Sequence, residues 1–233
     1  MEKVMEYLSK IIKESPQDIT QKIVESNKYF IEEANDLFYK EKRTARGWMS
    51  WSIGIVLIIV PTIISFFFKS DDFWPKIILL TIFGIPGVIT IIYGFVAPIK
   101  YLVFDRMNGV IVMPRNFRST VTIPFNTGFA RVKHINSSPG VISGMLAFVS
   151  SKGKDRVGGL LTEYNINNYW AFTVWYMDKN RPLPPGDAFD LYRQQDFERR
   201  KAEGFPKPLY PSKISTPEAT KEQQAERKRI GGW

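Results

Sequence analysis

The sequence predicts an α+β membrane protein: a two-helix transmembrane hairpin, then a small antiparallel β domain closed by a helix, with helical extensions at both ends. Three observations predict it. Two uncharged runs, 48–68 and 77–99, are each long enough to cross a bilayer. The stretch after the second run breaks into short β-branched and aromatic segments separated by turn residues. The flanks carry charged, helix-periodic patterning.

Composition narrows the chemistry before any element is placed. The 233 residues include no Cys and a single His, His134, which excludes a disulfide framework, a thiolate nucleophile and Cys- or His-rich metal sites. No cofactor is expected. Lys and Arg total 32 against 23 Asp and Glu, a formal charge of +9. Residues 1–47 hold nine acids and nine bases and the loop 69–76 two of each, so the whole excess lies in 99–233. A basic body beside a bilayer is expected to dock on anionic headgroups.

Residues 1–47 read as amphipathic cytoplasmic helices broken at Pro16. Val4, Met5, Leu8, Ile11 and Ile12 make one stripe, and Ile19, Ile23, Phe30, Ala34, Leu37 and Phe38 another. The hairpin, 48–99, follows. Trp48 to Phe68 contains no charge, and 21 residues at 1.5 Å each match the hydrocarbon thickness of a bilayer. Helices of a soluble core seldom go so long without charge, and little else here could bury them. Trp48, Trp51, Phe73, Trp74 and Tyr93 stand near the ends of the runs, where amphipathic rings favour the interface. Lys40, Lys42, Arg43 and Arg46 precede the first span, and Lys100, Arg106 and Arg115 follow the second. Both termini are therefore expected in the cytoplasm, with the first span a retained signal anchor.

No ionisable residue lies inside either run, which disfavours a pump or transporter. Ser50 and Gly54, with Gly87, Thr90 and Gly94, offer small surfaces for helix packing, within the hairpin or against a partner helix. Pro61 and Pro86 each invite a kink.

Residues 100–180 form the expected β domain. Strands are predicted at 100–105, 109–113, 119–125, 128–135 and 144–150, with a sixth near 156–163; Asn108-Gly109 marks a tight hairpin turn. Ile166 to Met177 places Tyr169, Phe172, Trp175 and Tyr176 at helical spacing, a helix to pack on the sheet. A bent sheet closed by one C-terminal helix resembles a pleckstrin-homology-like domain. Residues 181–233 read as a charged, Pro-containing helical tail with Thr216 before Pro217 as a helix start, and little of it is expected to build a core.

Few residues suggest chemistry. Ser143 and His134 could be offered as a nucleophile and base, but the spacing G-x-x-S-G fails the nucleophile elbow, so an enzyme is not expected. The loop with Lys152, Lys154 and Arg156, together with Arg43 and Arg46, is the expected contact for anionic lipid or a protein partner. The bases are dispersed and match no nucleic-acid module, so no nucleic-acid partner is expected.

The run Tyr101-Leu-Val-Phe-Asp-Arg-Met-Asn-Gly-Val110, the later Ile123-Pro-Phe125, and Trp175-Tyr-Met-Asp178 before Pro-Leu-Pro-Pro resemble an uncharacterised family of bacterial two-span inner-membrane proteins found around type VI secretion clusters. The resemblance covers residues 45–190. It implies a multi-pass protein of the bacterial inner membrane with a pleckstrin-homology-like cytoplasmic domain. It also implies a binding function: an immunity or accessory protein whose partner is a membrane-active effector or secretion component. The alternative is a scaffold whose basic domain docks anionic lipid or a cytoplasmic partner.

Overall fold

The computed structural model describes residues 5–26, 30–43, 48–68, 73–96, 98–115, 118–138, 141–149 and 155–233. The chain falls into two compact units: residues 43–100, and a larger unit made of residues 1–42 and 101–233. In order the elements are β1 (Met5–Leu8), α1 (Gln21–Ser26), β2 (Ile31–Ala34), β3 (Phe38–Lys42), α2 (Trp48–Ser65) and α3 (Phe73–Val96). There follow β4 (Tyr101–Asp105), β5 (Val110–Arg115), β6 (Arg118–Pro124), β7 (Phe129–Ser138), β8 (Val141–Val149), β9 (Asp155–Thr162), α4 (Glu163–Tyr176), α5 (Asp190–Ala202) and α6 (Lys221–Gly231).

The larger unit is mixed α+β, with two antiparallel sheets ordered β1-β7-β8-β9 and β2-β3-β4-β5-β6. In β3, β4 and β5 burial alternates residue by residue, the period of a strand with one face inward. Tyr39, Leu102, Phe104, Ile111 and Met113 make that inner face. Phe104 meets Phe148 of the other sheet with ring centroids 6.0 Å apart. From Tyr169 onward α4 is buried on every side: Phe172 lies against Tyr39 at 5.1 Å, and Trp170 against Phe125 and Phe148. Its polar tips are matched as well: the Tyr169 hydroxyl donates to Glu41, Trp170 Nε1 to the Ser9 carbonyl, and Tyr176 to the Asn35 carbonyl. The helix is thus the common core of both sheets, as its aromatic character predicts.

The first 47 residues correct the expectation of amphipathic helices. Among the described ones only Gln21–Ser26 is helical. β1 pairs with β7, and β2 and β3 add two strands beside β4. Ile31 and Tyr39 fit a strand's alternation as well as a helical stripe, because runs of four or five residues satisfy either period. The open edge of β4 decides between them, and Asn35 supplies the turn: its side-chain oxygen accepts from the amides of Leu37 (2.8 Å) and Phe38 (2.6 Å). The β domain is therefore not confined to 100–180.

The tail corrects a second expectation. Leu183, Phe189, Phe197 and Phe205 are buried, so residues 181–233 belong to the core. Ile12, itself buried, exchanges backbone hydrogen bonds with Pro211 and Lys213. The N-terminal segment is thereby pinned to the tail. α6 starts four residues after the expected point, with Thr220 as its cap accepting from Gln223.

In the smaller unit α2 and α3 run antiparallel. α3, with 24 residues, is long and apolar enough to cross a membrane; α2 is apolar but shorter, at 18. Both depart from the expected bounds. α2 ends at Ser65, ahead of Phe66 and Phe67, and α3 begins at Phe73 with Pro75 in its first turn, where a missing amide costs nothing. Its last residue, Val96, stands two before Pro98, which cannot continue a helix.

Candidate functional site

The seam between α2 and α3 is made by glycine. A Cβ added at Gly54 would lie 2.8 Å from the Gly87 carbonyl oxygen and 2.5 Å from Ile91 Cγ1. One at Gly87 would lie 2.9 Å from the Gly54 carbonyl, and one at Gly94 would meet Trp51 at 2.7 Å and Ser50 at 3.1 Å. Gly54 and Gly87 thus meet backbone to backbone, and Gly94 lies against the side chains of Ser50 and Trp51, a close helix approach that small residues permit. Thr90 lies apart from these contacts: its hydroxyl donates to the Pro86 carbonyl one turn back. The remaining faces are bare. Ile53, Val56, Ile59, Ile82, Ile85, Val88 and Phe95 each have half or nearly half of their surface exposed, and only 11% of the most apolar stretch of α3 is buried. Gly84 opens onto a shallow apolar groove of about 440 Å³ on that outer face.

Lys152, Lys154 and Arg46 lie outside the described residues, and Arg156 pairs with Phe148 on the ladder between β9 and β8. The Arg43 amide donates to the Lys100 carbonyl at 2.8 Å. The suggested hydrolytic pair is not assembled as an elbow, since Ser143 lies inside β8 opposite Ile135 and is not itself on a strand-to-helix turn. Among the described residues no three His, Cys, Asp or Glu cluster as a metal site would need.

A cluster the sequence did not announce lies in the tail. Arg106, completely buried on the turn after β4, donates from Nη1 to Asp196 (2.8 Å) and from Nη2 to the Arg181 carbonyl (2.6 Å). Asp196 also accepts from Arg199 (2.9 Å) and Arg200 (2.8 Å). Arg200 forks onto both oxygens of Glu218 at 2.8 Å, and Arg227 adds a third bond to that carboxylate at 3.1 Å. Arg181 completes the set by bonding Asp178, Thr216 and the Tyr210 carbonyl. Burial alone would push the Asp196 carboxyl up, but the surrounding Arg106, Arg200 and Arg199 outweigh it and hold it below its ordinary value. Burial drives Arg106 down, only partly opposed by Asp196. The void beside Asp196, Arg200 and Glu218 is about 10 Å³, room for no more than a water.

A small polar cleft of about 230 Å³ lies where β1 ends beside α4, edged by Tyr7, Lys13, Glu14, Asn167 and Trp170. It is below the size of usual small-molecule sites. No family model matches the chain, and no curated protein matches it.

Proposed function

We propose that this is a two-span protein of the bacterial inner membrane, with both termini cytoplasmic, that works by binding rather than catalysis. One observation carries the reading. The apolar pair α2–α3 is inserted between β3 and β4, which are hydrogen-bonded neighbours from Phe38–Asp105 to Lys42–Tyr101. A folded domain that sends out and takes back two long apolar helices from one point on its sheet is built to be held at a bilayer. The span ends bear Arg43 and Lys100 on the domain's side, which supports the inside placement of that domain. Its two antiparallel sheets around one aromatic helix support the pleckstrin-homology-like reading. Alkaline carbonate extraction of membranes checks the anchor: the protein should stay in the pellet, and release into the supernatant would refute it.

Within this reading, the resemblance supports an immunity or accessory role in type VI secretion, restraining a membrane-active effector. Cells lacking the protein should be killed more readily by a neighbour that delivers the cognate effector; unchanged sensitivity would remove this role. The alternative, a scaffold docking anionic lipid or a cytoplasmic partner, is favoured by the placement of the whole +9 after the hairpin. Crosslinking in membranes followed by mass spectrometry separates the two, since the first requires one stoichiometric effector.

A further inference from the structure

Residues 9–14, which follow β1, meet the tail beside α4. The Ser9 carbonyl accepts from Trp170 Nε1 at 2.8 Å, and Ile12 donates to the Pro211 carbonyl (3.0 Å) and accepts from the Lys213 amide (2.8 Å). Lys10 Nζ lies 5.1 Å from the Phe125 ring centre and 5.8 Å from that of Tyr210, and Tyr210 meets Phe125 edge-on at 5.3 Å. Phe125 and Trp170, with ring centroids 5.8 Å apart, thus share a cover drawn from two distant parts of the sequence.

The tail's side of this cover is fastened by polar groups. Within 206–233 the buried residues are Thr216, Glu218 and Arg227, and the apolar side chains are at most partly buried. A segment with so few buried apolar contacts opens at a lower free energy than the body it leaves. Its fastenings run to α5 and to residues 178–181. Arg200 forks onto Glu218, Arg181 bonds Thr216 and the Tyr210 carbonyl, Asp178 accepts from the Tyr210 amide (3.1 Å), and Asn180 donates to the Lys207 carbonyl (2.7 Å). Residues 9–14 are no better sunk. Only Ile12 among them is buried, the cleft of about 230 Å³ parts them from α4, and Glu14 reaches Asn167 only at 3.4 Å.

We infer that residues 9–14 and 206–233 open as one unit, latched by the ion pairs of Glu218, and that opening bares the aromatic pair Phe125 and Trp170. The backbone bonds at Ile12 make the N-terminal segment follow the tail. Opening stops at Gln17, whose amide bonds the Asn168 carbonyl at 3.1 Å, and at Ile19, held by the backbones of Pro185 and Ala188. The fold thus carries an aromatic surface that is reached only when the latch is undone.

The test follows hydrogen exchange by mass spectrometry on the full chain in detergent, with a second reporter beside Trp170. Ala171 is buried on the cleft wall, and because the sequence has no cysteine, Ala171→Cys places a single thiol there for maleimide labelling. Glu218→Ala breaks the latch. It should speed exchange in 9–14 and 206–218 alike, on the order of a hundredfold, and speed labelling of the Ala171→Cys thiol by the same factor. The amides of β4 and β5 should exchange at the parent's rate. Glu218→Gln keeps the side chain's shape and should give the same pattern with a smaller factor, which serves if the Ala variant does not fold. From the other end of the contact, Ile12→Ala should speed exchange at 206–214. Faster exchange confined to 206–233, with 9–14 and the thiol at parental rates, would overturn the joint opening. A uniform rise that includes β4 and β5 in both Glu218 variants would overturn the latch, since Glu218 would then serve the whole fold.

Discussion

The α2–α3 seam and the tail cluster are held by opposite means. Between the helices no charge takes part, and cohesion comes from glycine backbones at near-contact distance. In the tail, where residues 190–202 and 221–231 carry few apolar side chains, Arg106, Arg181, Arg200 and Arg227 are buried against Asp178, Asp196 and Glu218. The difference matches the medium proposed for each. In lipid, apolar burial gives no net drive, so close packing is the available source of cohesion. In water a polar segment can be fixed to a core only if each buried charge meets a partner, and a cluster so built tolerates the loss of none.

The largest effect is therefore expected at the centre of the cluster. Asp196→Ala leaves Arg106, Arg199 and Arg200 without their shared acceptor and should cost about 3–5 kcal/mol, read as loss of the cooperative denaturant transition. Asp196→Asn keeps the shape and isolates the charge. With its carboxyl held below the ordinary range, Asp196 stabilises the fold fully above the unfolded-state value, and that contribution is lost as pH falls through the lowered one. The Asn variant should show a flatter acid limb than the parent.

Next in size is the seam. Gly54→Leu must displace Ile91 or the Gly87 backbone and should destabilise by about 1–3 kcal/mol, seen as a lower melting temperature in detergent. Gly84→Leu is the control: its Cβ meets nothing within 4 Å, so the melting temperature should hold. If both variants melt alike, the seam is not what joins the helices. A smaller loss, about 1 kcal/mol, is expected for Thr220→Ala, which removes the oxygen that caps the Gln223 amide at 3.2 Å. Hydrogen exchange in the first turn of α6 should speed up while α5 keeps its protection.

These regions were not equally legible. The uncharged runs announce α2 and α3 as apolar helices because such a signal is long and purely local. The strands from Tyr101 onward and the Asn108-Gly109 turn, where Gly109 takes φ 64°, are local as well, and fall within a few residues of their expected places. β1 to β3 are misread because four- and five-residue strands fit both periods, and the partner that settles Phe38–Lys42 is β4, beyond the hairpin in sequence. Asn35-Asp36 between two short alternating runs is the one local signal that could have revealed them. The tail's charges look like a solvated surface because the partners are distant: Arg106 and Asp196 stand 90 residues apart. Thr216-Pro217 misleads for the same reason, since Thr216 serves Arg181 and Arg227 instead of capping a helix.

The smallest effect tests the cluster's rim. Tyr210 is half-buried, and burial, helped by the negative charge of Asp178, pushes its hydroxyl up to about 12. A raised value means that the folded state keeps the proton longer than the unfolded one, so stability is unaffected well below pH 10.0, the ordinary value, and is lost between there and about 12. Lys10, whose Nζ lies 5.8 Å from the Tyr210 ring centre, acts with the opposite sign: burial lowers it, so raising the pH relieves its cost. The two contributions overlap, and the parent's alkaline limb alone cannot separate them. Tyr210→Phe can, because it removes one and keeps the ring that Lys10 faces. The variant should match the parent at neutral pH and fall less steeply above pH 10, with one late phenolate missing from the ultraviolet titration. If the two alkaline limbs coincide, Tyr210 ionises as freely in the folded protein as in the unfolded chain, and the rim beside Asp178 is open to water.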